Sequence, residues 1–235
     1  DTVKTISMKT WGIADSLTLY NIENWGERYF NISPSGNLVV YPKPEIGVGV
    51  DFMRVIEDVR GMGLGMPVLI RFQDILRHRV VWLNEAFKKA VQEAGYKGTY
   101  YGVYPIKVNQ MREVMEEILD AGKPYNHGLE AGSKAELAAV VAMETSPQTL
   151  VICNGYKDHA FIKTALMALK LGKKVIIVVE KLSELDQIIA ISKELGVSPQ
   201  IGIRSKLITR GSGKWESSGG ELAKFGLTTP ELIHA

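Results

Sequence analysis

From residue 67 onward, short apolar runs alternate with longer amphipathic stretches, and this alternation constrains the fold more than any other feature of the sequence. The apolar runs, which predict strands, cover residues 67–70, 99–104, 125–130, 149–153, 174–179 and 200–204. The amphipathic stretches, which predict helices, cover residues 72–94, 111–121, 134–144, 159–171 and 182–195. Because a crossover between parallel strands needs a dozen or more residues, this spacing predicts a parallel sheet with helices on its faces.

Glycines and capping residues mark the ends of the predicted helices. Ser133 with Glu136 forms a capping-box pattern at the start of one helix, and Asp158 can cap the next. A glycine after a helix can adopt the left-handed conformation that ends it. The glycines in this position are Gly95, Gly122, Gly172 and Gly196.

Six units of this kind fit two α/β architectures. One is a doubly wound sheet, and the other is an incomplete (β/α)₈ barrel that would lack about two of its eight strands. The stretch Gly61-Met62-Gly63-Leu64-Gly65 has the wrong spacing for a dinucleotide-binding fingerprint, and it precedes a predicted strand instead of following one. The sequence therefore offers no Rossmann fingerprint to favour the doubly wound sheet.

The first 65 residues are rich in aromatic residues, Asn, Gly and Pro, and they show no sustained helical period. Residues 17–20 and 37–41 predict two short strands, and residues 52–59 predict a short helix ended by glycines. We therefore predict an N-terminal segment, residues 1–65, followed by a β/α part, residues 66–235.

Composition and charge argue against several classes of partner. The net charge is +2 without a block rich in Lys and Arg, so nothing favours a nucleic acid. The longest aliphatic run, residues 175–179, is far too short to cross a bilayer, and residues 1–9 lack the apolar core of a secretory signal. The single cysteine, Cys153, allows no intramolecular disulfide and suits a reducing compartment. We expect a soluble, cytoplasmic protein with no nucleic-acid or membrane partner.

Lys107 is the first candidate for chemistry. Alternation along the second apolar run places it at the carboxyl end of that strand, on the same face as Val103 and Pro105. In α/β proteins this end of the sheet carries the active site, and a partly desolvated amine there is a better nucleophile. Position alone favours a lysine whose stem packs along the surface while its charge stays in water.

Four blocks of sequence, in order and in register, resemble one enzyme family. They are Tyr-Gly-Val-Tyr-Pro-Ile-Lys-Val-Asn-Gln at 101–110, Gly-Leu-Glu-Ala-Gly-Ser-Lys-Ala-Glu-Leu at 128–137, Cys-Asn-Gly-Tyr-Lys-Asp at 153–158, and the Gly/Ser-rich 211–220 followed by Lys-Phe-Gly at 224–226. With them the chain resembles the biosynthetic arginine decarboxylases, which belong to the alanine-racemase-like, fold-type III group. The resemblance covers essentially the whole chain.

The resemblance implies a fold, a cofactor and a reaction. The fold would be a (β/α)₈ barrel, incomplete in this chain, with N-terminal strands that belong to a second, β-rich domain. Lys107 would hold pyridoxal 5′-phosphate as a Schiff base, and L-arginine would be decarboxylated to agmatine and CO₂, a step of polyamine biosynthesis. The enzyme would be a homo-oligomer, a dimer or tetramer, with active sites near the subunit interface. A magnesium requirement would follow from the resemblance alone.

Glu130 and Arg204 are further candidates for cofactor binding. Glu130 ends the third run, and the resemblance implies a carboxylate that orients the cofactor; a carboxylate that merely precedes a helix is the alternative. Arg204 ends the sixth run, and the resemblance implies a contact with the cofactor region, where a guanidinium could hold a ring oxygen or a carboxylate. A surface ion pair is its alternative.

Other motifs give no second site. The stretch 211–214 fails the P-loop pattern because Ile208 and Trp215 occupy positions that require Gly and Ser or Thr, and residues 205–220 predict a long active-site loop instead. His127 near a strand end and Cys153 are both interpreted as structural. No His, Cys, Asp and Glu cluster has the spacing of metal ligands.

Alternatives to this function are open. Ornithine or diaminopimelate could replace arginine as the substrate, and a non-catalytic barrel could carry the same cofactor without releasing CO₂. In a phosphate-handling barrel enzyme, Lys107 would bind an anion. The resemblance also implies that this is the N-terminal portion of a longer enzyme, and we expect these residues alone to be inactive.

Overall fold

The computed structural model describes residues 10–207 and 223–235. The chain divides into two compact units, Asp1–Arg79 and Val80–Ala235. The helices are α1 (Ile13–Leu19), α2 (Ile22–Trp25), α3 (Phe52–Gly61), α4 (Gln73–Glu93), α5 (Arg112–Gly122), α6 (Lys134–Ala142), α7 (His159–Lys170), α8 (Leu182–Leu195) and α9 (Thr229–His234). The strands are β1 (Phe30–Ile32), β2 (Leu38–Val40), β3 (Val50–Asp51), β4 (Val103–Pro105), β5 (Gly128–Ala131), β6 (Leu150–Cys153), β7 (Lys174–Val179) and β8 (Ile201–Ile203). Helix α4 contains the boundary between the units. No helix in this described part is long and apolar enough to cross a membrane.

The first unit contains a small antiparallel sheet of order β1-β2-β3. Strand β2 confirms the strand predicted at 37–41, and α3, capped by Asp51, confirms the helix predicted at 52–59. The strand predicted at 17–20 is wrong because these residues form the end of α1 and the turn after it. Asp15 accepts a hydrogen bond from the Gly12 backbone N–H at 2.9 Å, and this local cap favours a helix over a strand.

The second unit is a five-stranded parallel sheet of order β4-β5-β6-β7-β8. Each strand lies beside its neighbour in sequence, and helices α5, α6, α7 and α8 make the crossovers. The order shows no reversal, whereas a doubly wound sheet has one where its ligand binds. The chain therefore winds in one direction throughout the described sheet.

A continuous apolar core fills the space between sheet and helices. Alternate residues of β7, namely Val175, Ile177 and Val179, are fully buried, as strand periodicity requires for one covered face. Phe161 and Leu166 of α7 pack in the same cluster. Burying side chains of this size contributes about 1.5–3 kcal/mol each, so the core fixes the position of every strand end.

Most of the predicted rhythm from residue 67 onward is confirmed. Strands β4 to β8 each fall within or overlap the runs predicted from 99–104 onward, and α4 to α8 correspond to the five predicted helices. The strand predicted at 67–70 is wrong: these residues form no strand, and Leu69 is 74% exposed. A four-residue apolar run that begins with proline lacks one backbone donor, and no described strand pairs with it.

The predicted helix ends are mostly confirmed. Gly95, Gly172 and Gly196 have φ angles of 59°, 85° and 63°, as expected after a helix. The prediction for Gly122 is wrong, because it lies inside α5 with a negative φ, and its missing side chain leaves room for the Cβ of His127. The domain boundary at residue 65 stays a prediction.

Two capping predictions have clear outcomes. Ser133 accepts a hydrogen bond from the Glu136 backbone N–H at 3.2 Å, while the Glu136 carboxylate accepts one from the Gly132 N–H at 2.7 Å. The cap is therefore present, with its return bond displaced by one residue. Asp158 accepts from the Phe161 N–H at 2.9 Å and caps α7 as predicted.

Candidate active site at the carboxyl edge of the parallel sheet

All five parallel strands end at one edge of the sheet, and charged residues lie at or just beyond four of these ends. Lys107 follows β4, Glu130 is the penultimate residue of β5, Glu180 follows β7 and Arg204 follows β8. The first, second and fourth are the residues that the sequence predicts for the site. The fold thus brings the three predicted residues to one edge.

Lys107 lies in a 3₁₀ turn, Ile106–Val108, directly after β4. Ile106 is fully buried and anchors the turn in the core, whereas Lys107 is exposed. The Tyr104 hydroxyl donates to the Asn109 carbonyl at 3.2 Å across this turn, and burial raises the pKa of Tyr104. The predicted location at the strand end is correct, although the strand alternation ends at Pro105 and does not itself orient Lys107.

Glu130 lies on β5 between Pro105 of β4 and Ile152 of β6 in the register of the sheet. Its side chain is half-buried, and its charge acts on the thiol of Cys153 at the end of β6. Burial together with this carboxylate raises the pKa of Cys153 to about 12, against the opposing effect of Lys157. The thiol is therefore a protonated core group, as interpreted from the sequence.

Arg204 is held by its backbone and by its side chain. Its N–H donates to the Val179 carbonyl at 3.1 Å, and its carbonyl accepts from the Leu227 N–H at 2.7 Å. The guanidinium is 50% exposed, lies 5.3 Å from the ring centre of Phe225, and places Nη1 3.4 Å from Oε1 of Glu180. The partner carboxylate is fully buried, so the contact differs from an ordinary surface ion pair.

A buried ionic network supports this edge, and the sequence reasoning missed it. The Lys157 side chain is fully buried, with Nζ 3.2 Å from the Glu184 carboxylate and 2.5 Å from the Gly155 carbonyl. The same carboxylate accepts from the backbone N–H groups of Lys157 and Glu180, each at 2.9 Å. Burial lowers the pKa of Lys157, and the charge of Glu184 opposes this change.

Glu180 connects the network to Arg204. Its Oε1 accepts from the Gly155 N–H at 2.9 Å and contacts Arg204, while its Oε2 is buried without a hydrogen-bond partner among the described residues. Gly155 has φ of 74°, and a Cβ on it would lie 2.7 Å from the Gly132 carbonyl oxygen. The loops after β5 and β6 therefore approach as closely as glycine allows.

Two sequence signals could have indicated these missed residues. Lys157 lies inside the block 153–158 that carries the resemblance, and Glu180 directly follows the longest aliphatic run. A charged residue at the end of a fully apolar strand lies where the core meets the active edge. Glu184 gives no such signal, because a carboxylate in the first turn of a helix is ordinary.

A cleft of about 320 Å³ opens between the loops after β5, β6 and β7, with Tyr156 and Lys181 on its wall. A larger groove of about 890 Å³ lies between α5 and α6, and none of the predicted site residues lines it. His127 lies at the other end of the sheet, just before β5. Residues 208–222, which include the Gly-Ser-Gly-Lys stretch and most of the loop predicted at 205–220, lie outside the described residues.

No group of three or more His, Cys, Asp and Glu side chains within residues 10–207 and 223–235 could hold a metal ion. The magnesium requirement, which came from the resemblance alone, stays a prediction. Among its groups the described edge offers the exposed amine of Lys107, the half-exposed guanidinium of Arg204 and the carboxylates of Glu130 and Glu180. Such a set can bind an anionic ligand and form an imine with an aldehyde.

Comparison with known proteins now identifies the family. Residues 81–235 match the family described as "Pyridoxal-dependent decarboxylase, pyridoxal binding domain", and the chain belongs to this family. The biosynthetic arginine decarboxylase of Bacteroides thetaiotaomicron is 50% identical over 97% of this chain and 36% of its own length. That of Parasynechococcus marenigrum is 48% identical over 95% of this chain and 35% of its own length.

Solved structures agree with this assignment. The crystal structure of the biosynthetic arginine decarboxylase from Campylobacter jejuni has a TM-score of 0.78 and 34% identity, over 92% of this chain and 34% of that chain. A diaminopimelate decarboxylase from M. jannaschii has a TM-score of 0.60 at 20% identity over 87% of this chain and 42% of that chain, which shows the fold alone. The chain spans about a third of the length of the curated relatives it matches. The family resemblance found in the sequence is confirmed.

Proposed function

We propose that this chain is the pyridoxal-phosphate-binding part of an arginine decarboxylase, which converts L-arginine to agmatine and CO₂. The observation that carries the proposal is Lys107, an exposed amine at the active edge of a parallel sheet in a chain of the pyridoxal-binding family. Relatives that are about half identical in sequence bear the name biosynthetic arginine decarboxylase, which supports arginine over other amino acids.

We propose further that the described sheet is an arc of a (β/α)₈ barrel. The unreversed order β4-β5-β6-β7-β8, with a helix after each of the first four strands, supports this architecture. The antiparallel sheet β1-β2-β3 would belong to a second, β-rich domain. In a barrel the ends of several strands surround one site, which suits residues contributed by β4, β5, β7 and β8.

The described residues fit the cofactor. Lys107 would hold it covalently through Nζ, and its exposure leaves that amine accessible to an aldehyde. Arg204 has donors beyond the one near Glu180, and these could hold a ring oxygen or a carboxylate. Bound pyridoxal phosphate supplies an electron sink for the electrons of the broken bond between Cα and the carboxylate.

Glu130 would orient the bound group without acting as a base. It lies on the strand next to the one that ends before Lys107, and its opposite charge would favour the protonated amine. The buried Lys157–Glu184 pair would hold the loops after β6 and β7 in place, so that the reacting bond keeps one orientation.

The remaining features of the proposal concern the whole protein. L-arginine would be its small-molecule substrate, and a homo-oligomer, a dimer or tetramer, would place active sites near subunit interfaces. The protein would act in the cytoplasm, in polyamine biosynthesis.

Trapping of the cofactor tests the proposal directly. Borohydride treatment of the full-length protein loaded with pyridoxal phosphate should attach the cofactor to Lys107, as read by peptide mass spectrometry. Lys107→Ala should abolish this labelling and lower agmatine formation by at least about 10³-fold, since the covalent anchor is lost. Lys97→Ala is the matched control, because Lys97 is an exposed lysine before the opposite end of β4, and it should behave as the unchanged protein.

The outcomes separate the alternatives. Labelling at another lysine would overturn the assignment of Lys107. Labelling without CO₂ release would indicate a cofactor carrier, and no labelling at all would favour an anion-binding barrel. If ornithine or diaminopimelate is turned over faster than arginine in a substrate panel, that amino acid would become the proposed substrate in place of arginine.

A further inference from the structure

Arg204 makes more fixed contacts than is usual for a half-exposed arginine. Backbone hydrogen bonds to Val179 and Leu227 fix its main chain, the Phe225 ring covers one part of its guanidinium, and Glu180 lies 3.4 Å from Nη1. An exposed arginine normally loses side-chain entropy when it is fixed in this way, which opposes such ordering.

Glu180 is more completely buried than its partner Arg204. Its carboxylate is fully buried, its Oε1 also accepts from the Gly155 N–H, and its own N–H is held by Glu184. Glu184 is in turn fixed by the buried ammonium of Lys157. A chain of short contacts therefore runs from the core to the exposed guanidinium.

Burying a carboxylate costs several kcal/mol unless charges and donors compensate for the lost water. At Glu180 the compensation is incomplete, because Oε2 has no partner among the described residues. A neutral side chain would serve the Gly155 N–H equally well. Glu180 acts at a distance on the buried Lys157 ammonium, which already has Glu184 as its direct partner, whereas its own direct contact is with Arg204. A carboxylate at this position is therefore best explained by Arg204.

We propose that Glu180 is a positioning residue that fixes the Arg204 guanidinium for the bound cofactor or substrate carboxylate. The inference rests on the proposed function, since it assigns a purpose to Arg204 within that site. Glu180 takes the donor at Nη1 and Phe225 covers a face, so the remaining N–H groups keep one direction. Glu180 would act on that ligand through Arg204.

A double-mutant cycle tests this coupling in the full-length protein loaded with pyridoxal phosphate. Glu180→Gln keeps the size of the side chain and an acceptor for the Gly155 N–H but removes the charge. We expect kcat/KM to fall about tenfold to a hundredfold, because misplacement by about 1 Å can have this effect. Arg204→Lys should cause a similar loss, and the double variant should lose little more, since both changes remove the same fixed guanidinium.

The matched control is Glu194→Gln, which removes the same charge from a carboxylate paired with Lys163 at 2.9 Å on the helices α7 and α8. It should leave kcat, KM and the affinity for pyridoxal phosphate unchanged. If Glu180 has only a structural role, Glu180→Gln should lower the melting temperature. The effects of Glu180→Gln and Arg204→Lys on kcat/KM should then multiply in the double variant. That result would overturn the proposal, as would an Arg204→Lys protein with unchanged kinetics.

A second variant protects the test against misfolding. Phe225→Leu loosens the guanidinium from the other side without touching a buried charge, and it should reproduce the kinetic loss of Glu180→Gln in part. If the unchanged protein neither binds pyridoxal phosphate nor releases CO₂, the proposed function fails. If the unchanged protein is active while Glu180→Gln and Phe225→Leu are both folded and fully active, the positioning role alone fails.

Discussion

The two ends of the parallel sheet both bury polar side chains, but they bury different kinds. At the carboxyl end, Lys157 and Glu184 form an ion pair of 3.2 Å that is inaccessible to solvent. At the amino end, Asn84 donates a hydrogen bond of 3.2 Å to Nδ1 of His127, and burial lowers the pKa of that histidine so that it stays neutral. The carboxyl end therefore buries a pair of charged side chains, whereas the amino end buries a neutral pair.

The carboxyl end therefore carries the larger cost of removing polar groups from water. A neutral pair can be buried with modest loss, whereas two buried charges need hydrogen bonds on almost every remaining atom. The carboxyl end meets that demand with backbone N–H groups from the loops after β6 and β7. Those loops lie at the same edge of the sheet as the proposed site residues, and the ion pair holds them in place. The loops at the amino end, such as residues 143–149 and 196–200, carry none of the proposed site residues, and the polar pair buried there is neutral.

The largest expected effect comes from breaking the buried ion pair. Lys157→Met leaves the Glu184 carboxylate buried without its cation, so the free energy of unfolding should fall by about 3–5 kcal/mol. Urea unfolding measures this change. Adding Glu184→Gln should restore part of the loss, because the uncompensated charge is then gone.

Lys163→Met is the control for this prediction, since its partner Glu194 is exposed. It should change stability far less than the buried variant. Equal losses for the two lysines would contradict the contrast between the two ends, because they would show that burial of the pair has no special weight.

A glycine at each end sharpens the comparison. Gly155 at the carboxyl end has φ of 74°, and an added Cβ would lie 2.7 Å from the backbone oxygen of Gly132. Gly155→Ala should therefore cost about 2–4 kcal/mol in urea unfolding, from the left-handed conformation together with the overlap. No side-chain change can relieve a clash with backbone, so a rescue by any neighbouring substitution would be evidence against this packing.

Gly102 at the amino end should respond differently. A Cβ there would overlap the His127 ring, but its φ is not in the left-handed region. Gly102→Ala should cost about 1–3 kcal/mol, which is typical of overpacking. The cost of adding Gly102→Ala should be smaller in a His127→Ala background, because the ring it would meet is absent. An unchanged cost would show that the clash lies elsewhere.

The sequence predicted the sheet better than the interior of its active edge. Burial alternates along β7 and follows one face of α8, so the run at 174–179 and the helix at 182–195 were predicted with their observed bounds. Residues 17–20 and 67–70 were mistaken for strands because a short apolar run carries too little period to distinguish it from a helix end or a loop.

The predicted site residues were found from strand ends and family resemblance, and Lys107, Glu130 and Arg204 do lie at one edge. Lys157 could not be identified from periodicity, because a lysine is ordinarily exposed. Its partner Glu184 is 27 residues away in sequence, on α8. Contacts of this kind depend on the folded geometry, and no local pattern encodes them.

The smallest expected effect is a dependence of stability on pH that arises at the amino end. Burial holds the pKa of His127 below its ordinary value of 6.5, and Asn84 donates to Nδ1, which leaves no place for a proton on that nitrogen. The unfolded chain therefore binds a proton more readily than the folded one. This contribution to stability is fully present above about pH 6.5 and is lost as the pH falls below it, with a slope of at most about 1.4 kcal/mol per pH unit.

Urea unfolding of the unchanged protein and of His127→Gln, at several pH values between about 5 and 7.5, isolates this contribution. The difference in free energy of unfolding between the two should shrink as the pH falls, because the unchanged protein alone loses the stability of a neutral, buried imidazole. A constant difference for His127→Gln would mean that the amino end can bury a charge, and the contrast with the carboxyl end would no longer hold.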